Sequence, residues 1–184
     1  MRKLARYGPL DRYNPPPAAG VCISVFAVVR KEGRVLAGVT KTGGRWASEW
    51  LPSITKNTGK DLHKEWAAWR LPSAYVFEGE HPDDALGRVM RGQLGVDTFA
   101  YSAPAVYSYA EPSEWYPGNR HWDLAFAYEV KMNHAPRKHS QWKELLFLDA
   151  PELRKRDFGW NNDFVREVVG SKPLSKPSLR NQKT

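Results

Sequence analysis

Cysteine is nearly absent from this sequence, and so is any long hydrophobic run. Cys22 is the single cysteine among 184 residues, which excludes a framework of internal disulfides and a cysteine-based zinc site. No apolar stretch approaches the roughly 20 residues that a membrane-spanning helix needs. The first ten residues, MRKLARYGPL, lack the apolar core of a secretory leader. These absences predict a cytoplasmic protein that does not enter a membrane.

Acidic residues are scarce at both ends of the chain. Residues 1–20 hold four cations and one acid, and residues 171–184 hold four cations and no acid. Because the formal net charge is +8, the part between them is close to neutral. We interpret residues 1–19 as a basic, proline-rich N-terminal arm, 20–170 as one folded domain and 171–184 as a basic, disordered tail. The cations of these arms that are predicted to contact nucleic acid are Arg2, Lys3, Arg6, Arg12, Lys172, Lys176, Arg180 and Lys183.

Between the arms, strand patterns outnumber helical ones. Residues 21–30 are rich in β-branched and apolar side chains, a turn follows at 31–34, and residues 35–41 complete a hairpin. Further strands are expected within 97–110, 121–131 and 142–149, and a last helix at 163–169. The pattern predicts one α+β domain, with a mixed β-sheet flanked by helices.

Residues 71–96 carry the most specific pattern in the chain. A short strand at 75–77 leads into an acidic turn. Pro82 then suits the first position of a helix, and apolar residues recur at helical spacing as far as Leu94. Gly95 follows where a left-handed C-terminal cap is expected.

This strand, loop and helix resemble the Nudix box, the signature of the Nudix hydrolase superfamily. The box reads Gly, five residues, Glu, seven residues, then Arg-Glu-apolar-x-Glu-Glu-x-Gly-apolar. Its loop Glu falls on Glu80, its Arg on Arg88 and its closing Gly on Gly95, while Ala74 stands at its first Gly. The resemblance implies the Nudix fold, an α/β/α sandwich. It also implies that Arg88 orients Glu80 through a salt bridge.

The three helix glutamates of the box are missing here. Their positions hold Val89, Gly92 and Gln93. In the family these carboxylates hold divalent cations, usually Mg²⁺, against a diphosphate, and the ions activate the attacking water. The resemblance therefore implies a Nudix fold with a dismantled metal site, in which hydrolysis is weak or absent. Glu80 and Glu78 are the acids left near the helix that could contact Mg²⁺ or Mn²⁺ if the protein is active.

Two classes of function follow from this departure. The first is a non-catalytic Nudix-domain protein that binds a nucleotide or RNA, or helps to assemble a large ribonucleoprotein complex. For this class we predict phosphate or base contacts from Arg70, Arg91 and Trp69. The second is an active hydrolase that cleaves nucleoside diphosphates linked to another group, with Glu80 and Arg88 as catalytic residues retained from the box. Its other carboxylates would come from loops, and the candidates are Glu49, Glu65, Glu111 and Glu114.

Overall fold

The computed structural model describes residues 21–41, 68–77, 79–112, 120–137, 142–158, 162–170 and 180–181. Within these residues the chain forms nine strands and three helices. The strands are β1 (Val21–Lys31), β2 (Arg34–Thr40), β3 (Trp69–Arg70), β4 (Ser73–Tyr75), β5 (Phe99–Tyr101), β6 (Ala105–Pro112), β7 (Arg120–Met132), β8 (Trp142–Leu148) and β9 (Arg180–Asn181). The helices are α1 (Pro82–Leu94), α2 (Ala150–Lys155) and α3 (Asn162–Gly170).

The sheet is built around the parallel pair β1 and β7. Nine residues of β1 pair with β7, from Val21 opposite Trp122 to Val29 opposite Val130. Antiparallel strands extend the sheet from this pair: β2 and β4 join β1, β5 and β6 join β7, and β9 joins β5. β2 also pairs with β3 and β8. The mixed sheet predicted from the sequence is confirmed.

Side chains of β1 alternate between two cores, one on each face of the sheet. Val25, Ala27 and Val29 pack in the cluster that includes α1, whereas Phe26 and Val28 pack in the cluster that includes α2 and α3. Because helices cover both faces, this central strand is apolar at successive positions instead of alternating with polar residues. Burial of each Val or Phe contributes about 1.5–3 kcal/mol. The layers are therefore helix, sheet and helix, as predicted.

Aromatic packing and one ion pair hold α3 against its face of the sheet. The rings of Phe26 and Phe164 lie 4.3 Å apart between centroids. Arg30 Nε lies 2.9 Å from Glu129 Oε2, and the same guanidinium donates to the Val168 carbonyl at 3.2 Å. That carbonyl belongs to the last turn of α3, where carbonyl groups have no partner within the helix. Arg30 thus also caps the C-terminal end of α3.

The chain between α1 and β7 was expected to form one strand, and it forms two. β5 ends at Tyr101 and β6 begins at Ala105. Between them, the Ser102 hydroxyl accepts a hydrogen bond from the Glu129 N–H at 3.2 Å. Pro104, which has no N–H to donate, interrupts the strand. As a result β5 and β6 pair with different parts of β7.

Helix α2 was not predicted from the sequence. The Asp149 carboxylate accepts from the Glu152 N–H at 2.8 Å, and the Glu152 carboxylate accepts from the Asp149 N–H at 3.0 Å. This reciprocal capping box stabilises a helix of only six residues. The spacing of the two acids was a signal that could have identified it.

Part of the C-terminal tail pairs with the sheet. In β9, Arg180 lies opposite Tyr101 and Asn181 lies opposite Ala100. These two residues of the tail that was expected to be disordered thus form a short strand, and the rest of the tail and the N-terminal arm lie outside the described residues. None of the described helices is long and apolar enough to cross a membrane.

Candidate functional site

Helix α1 begins and ends with groups that fix its position. His81 is the N-cap, and its Nδ1 accepts a hydrogen bond from a first-turn N–H at 3.2 Å. Pro82 occupies the first turn, where an N–H has no partner in the helix. At the other end Gly95 has a φ of 62°, and its N–H donates to the Arg91 carbonyl at 3.1 Å. The predicted helix and its glycine cap are confirmed, whereas His81 was not predicted as a cap because histidine is not among the common N-capping residues.

Glu80 and Arg88 form the ion pair that the box implied. Arg88 Nε lies 3.0 Å from Glu80 Oε1, and an Arg88 terminal nitrogen lies 2.9 Å from Oε2. The Phe77 N–H also donates to Oε2 at 2.8 Å. Arg88 donates in addition to the Tyr75 carbonyl at 2.7 Å, and its guanidinium lies 3.8 Å from the centroid of the Phe77 ring. The loop between β4 and α1 is thus closed around this pair.

The contacts of Glu80 decide its protonation. Burial raises the pKa of Glu80, but hydrogen bonds from Arg88 and the Phe77 N–H, together with the positive charge of Arg88, outweigh burial and leave the pKa lowered. Glu80 is therefore ionised at neutral pH, and both of its oxygens accept hydrogen bonds. A general base works best with a pKa near the working pH. This carboxylate is thus better suited to holding the loop than to accepting a proton.

Two tyrosines of the sheet hold Asp83, in the first turn of α1. Tyr128 donates its hydroxyl to Asp83 Oδ1 at 2.8 Å, and Tyr101 donates to Oδ2 at 3.2 Å. The two rings meet edge to face, 5.7 Å between centroids, and both are buried. The carboxylate also lies near the positive end of the helix dipole. These contacts fix the start of α1 over β5 and β7, and the sequence could not predict them because the tyrosines lie 18 and 45 positions away.

The residues that occupy the positions of the missing glutamates either pack in the structure or have no side chain. Gln93 is 4 % exposed, and its amide accepts from the Ser73 N–H at 3.3 Å and donates to the Ser73 carbonyl at 2.7 Å. The Gln93 backbone carbonyl accepts from the Trp142 indole at 2.9 Å. Val89 is 1 % exposed, in the core beneath α1. A Cβ added to Gly92 would meet nothing within 4 Å, so that position faces open space.

These residues do not fit a divalent ion held by α1. Mg²⁺ and Mn²⁺ require oxygen ligands, and Val89 and Gly92 supply none, while the Gln93 amide is committed to β4. Among the described residues, no group of three His, Cys, Asp or Glu side chains could hold a metal ion. Glu111, which was expected in a loop, lies in β6 opposite His121. The other proposed carboxylates, Glu49, Glu65, Glu78 and Glu114, lie outside the described residues.

A partly exposed apolar surface lies on the α1 face of the sheet. We call Ile23, Val106, Trp122, Leu124 and Phe126 the apolar shelf. Ile23 lies opposite Leu124, and Val106 lies opposite Phe126. Ile23 and Phe126 pack against the cluster that includes α1, which places the alternate residues of β1, β6 and β7 on that face. Val106 is 57 % exposed and Trp122 is 47 % exposed.

The apolar shelf adjoins the loop of the box. The Val76 N–H donates to the Ile23 carbonyl at 2.8 Å, so the chain leaves β4 beside the shelf and then turns towards Glu80. The Trp122 indole N–H donates to the Ser108 hydroxyl at 2.7 Å, which restrains the ring while leaving much of it exposed. The sequence offered the alternation of β7 as a signal for this surface, but exposure of the ring could not be deduced from it.

The three residues that were predicted to contact a nucleotide have different surroundings in the structure. Trp69 is 8 % exposed in the core on the α3 face, with the Arg156 guanidinium 4.6 Å from its ring, so it does not lie beside the box. Arg70 is half-buried in β3 opposite Gly38. Arg91 is exposed on α1. Of the predicted nucleic-acid contacts in the arms, Arg180 alone falls within the described residues.

Known structures share this fold, although the sequence alone matches no family model and no curated protein. The Nudix domain of Shewanella oneidensis NrtR, solved with ADP-ribose, is 11 % identical with a TM-score of 0.55, over 86 % of this chain and 92 % of that one. A Nudix hydrolase of Nitrosomonas europaea is 13 % identical with a TM-score of 0.52, over 81 % and 86 %. The dihydroneopterin triphosphate pyrophosphohydrolase of E. coli is 16 % identical with a TM-score of 0.52, over 80 % and 94 %. The chain therefore has the fold of the Nudix hydrolases, as the box predicted.

Proposed function

We propose that this chain is a Nudix-fold protein that binds a nucleoside diphosphate derivative without hydrolysing it through ions held by α1. The observation that carries the proposal is the double hydrogen bond between the Gln93 amide and the backbone of Ser73. A side chain at a metal-ligand position of the box here joins α1 to β4. The group that remains from the box, Glu80, has both oxygens engaged by Arg88 and the loop.

The size of the electrostatic contribution of the missing helix carboxylates supports the absence of metal-dependent hydrolysis. A contact between unit charges is worth about 4 kcal/mol in a partly screened site, and about twice that with a divalent partner. Each 1.36 kcal/mol, roughly, of lost transition-state stabilisation lowers a rate about tenfold. The absence of three such contacts therefore corresponds to many orders of magnitude in rate, and the described residues contain no group of three His, Cys, Asp or Glu side chains that could hold a metal ion instead.

The apolar shelf supports binding of a nucleobase. Stacking of a base on an aromatic side chain is worth about 1–3 kcal/mol, and Trp122 presents a restrained, partly exposed ring on the apolar shelf. On the same face, Leu124 is the next residue along β7 and lies opposite Ser108, and Val106 precedes Ser108 by two positions in β6. ADP-ribose, the ligand in the NrtR structure, is a suitable first probe because it combines an adenine base with a diphosphate.

Calorimetry with ADP-ribose tests the proposal. Binding is expected both in EDTA and in Mg²⁺, with no release of AMP over hours in either condition. Trp122→Ala should weaken binding about 5- to 150-fold, as the stacking energy implies. Leu146→Ala is the matched control, because Leu146 is also a large exposed apolar residue, 42 % exposed, but belongs to β8. It should leave the affinity unchanged.

Two results would overturn the proposal. One is Mg²⁺- or Mn²⁺-dependent cleavage of ADP-ribose or another nucleoside diphosphate derivative that Glu80→Gln abolishes, which would establish the active hydrolase with unusual ligands. The other is an affinity for ADP-ribose that falls equally in Trp122→Ala and Leu146→Ala, which would remove the apolar shelf as the base site.

A further inference from the structure

Three segments that carry exposed cations meet at the C-terminal end of α1. Arg91 lies on the last turn of the helix itself. The Arg137 N–H donates to the Leu94 carbonyl at 2.8 Å, and a Cβ built on Gly95 would lie 3.2 Å from Arg137 Cβ. Lys143 follows Trp142, whose indole is bonded to the end of the same helix. We call Arg91, Arg137 and Lys143 the basic end of α1.

These cations have no acidic partners among the described residues. Arg91, Arg137 and Lys143 are all exposed, and none of them makes an ion pair with a described carboxylate. The acids nearest along the chain are Asp97, exposed after Gly95, and the half-buried Glu144. One cation in the last turn is explained by the negative end of the helix dipole. Three cations from separate segments exceed what the dipole requires.

The last residues of β7 and β9 lie at the same end of the sheet. Lys131 in β7 lies opposite Ala100 in β5, and Ala100 lies opposite Asn181 in β9. Since both neighbours are antiparallel to β5, β7 and β9 run in the same direction and their chains leave the sheet at the same end. Beyond β7 the described chain continues to Arg137.

We propose that the basic end of α1 binds the phosphate backbone of single-stranded RNA. Guanidinium groups suit phosphate because their planar N–H donors match its oxygens. Unpaired arginines on separate segments can contact successive phosphates without reading the bases. The surface is distinct from the apolar shelf, because it lies at the end of α1 where Arg137 and Trp142 meet the helix. RNA binding here therefore does not depend on nucleotide binding beside the box.

The salt dependence of RNA binding measures the number of phosphates involved. For a single strand, the slope of log affinity against log salt is about −0.7 for each phosphate neutralised. Anisotropy of a fluorescein-labelled 20-nucleotide poly-U RNA, from 50 to 200 mM KCl, gives this slope for the full chain. The double variant Arg91→Glu and Arg137→Glu should reduce its magnitude by about 1.4 and weaken binding at least tenfold at the lowest salt.

A control variant with the same change in charge distinguishes RNA binding at this surface from attraction by the net charge of the protein. Arg154→Glu with Lys155→Glu makes the same charge change on α2, at exposed positions on the α3 side of the sheet, and should alter neither slope nor affinity beyond about twofold. Circular dichroism checks that both variants are folded. Trp122→Ala should bind RNA as the unchanged chain does, even if it loses ADP-ribose.

Four outcomes would overturn the inference. The first is the absence of RNA binding at 50 mM KCl. The second is an equal loss in the α1 and α2 charge variants, which would indicate attraction by net charge alone. The third is full retention of RNA binding in the α1 variant but loss on removal of residues 1–19 and 171–184, which would assign RNA to the arms. Binding of the α1 surface to phosphatidylserine vesicles but not to RNA would also reject RNA as its partner.

Discussion

Gln93→Glu restores a carboxylate to the box, and we expect it to destabilise the protein instead of building a metal site. The native amide donates to the Ser73 carbonyl at 2.7 Å and accepts from the Ser73 N–H at 3.3 Å. An ionised glutamate can still accept, but it cannot donate. Its second oxygen would face the Ser73 carbonyl in a position that is 4 % exposed in the native side chain.

The expected loss combines a hydrogen bond with the burial of a charge. A net hydrogen bond is worth about 1 kcal/mol, and a buried acceptor left without a partner costs about 1–3 kcal/mol. Burial of an unpaired charge adds to this, so the free energy of unfolding at pH 7.5 should fall by about 3–5 kcal/mol. For a chain of this size each 1 kcal/mol lowers Tm by about 2–4 °C, which makes the change easy to measure.

The pH dependence of this loss identifies its cause. Burial beside a carbonyl should raise the pKa of the introduced glutamate above its unfolded value of about 4.3. The folded variant then binds the extra proton more tightly than the unfolded one. Its deficit is therefore smallest below pH of about 4 and grows as pH rises through the folded pKa. Urea unfolding between pH 4 and 8 measures this trend.

Gly92→Glu is the control, since it adds the same charge one residue away in open space. Its free energy of unfolding should be equal to or slightly above that of the unchanged chain, because glutamate favours a helix more than glycine does, and this difference should not grow as pH rises. The reasoning is refuted if Gln93→Glu is as stable as the unchanged chain at pH 7.5 and binds Mg²⁺. In that case position 93 would point into a working metal site and not into the contact with β4.

Three further changes test other contacts of the fold by equilibrium unfolding. Glu80→Gln removes the charge that faces Arg88 and should cost about 2–3 kcal/mol at pH 7; because the native pKa is lowered, the difference from the unchanged chain should narrow as pH falls below about 4. Equal losses at pH 7 and pH 3 would contradict this. Tyr128→Phe deletes the hydroxyl bonded to the first-turn carboxylate of α1 and should cost about 1–2 kcal/mol; an unchanged midpoint would contradict that role. Gly38→Ala should lower the free energy of unfolding by more than about 3 kcal/mol or prevent folding, because its Cβ would overlap a backbone carbonyl of β8. Gly92→Ala, in open space on a helix, should instead raise the free energy of unfolding by about 1 kcal/mol. Equal effects of the two alanines would show that packing at the glycine does not matter.

Local signals predicted the elements that depend on local chemistry. The turn after β1 has positive φ at Glu32 and Gly33, as a tight hairpin requires. Pro82 and Gly95 mark the two ends of α1. The Glu80–Arg88 pair could also be expected, because the resemblance to the box fixes both partners within one loop and helix.

The sequence could not predict contacts between distant segments. Gln93 reads as a neutral residue on a helix, and its role appears only when Ser73 lies beside it at a separation of 20 residues. Trp69 reads as an aromatic residue beside an arginine, yet the alternation of β3 turns it into the core. Strand β9 is two residues long, too short for any periodic pattern to identify it.

Strand β4 pairs with β1 on one side, and no described strand pairs with its other side. The groups that would be exposed there are occupied by α1: Arg88 binds the Tyr75 carbonyl, and Gln93 binds both backbone groups of Ser73. The unpaired backbone groups of an edge strand can pair with a strand of another molecule. Because Arg88 and Gln93 occupy these groups of β4, they prevent such pairing. Substitution of both Arg88 and Gln93 should therefore make the protein prone to self-association through the edge of β4.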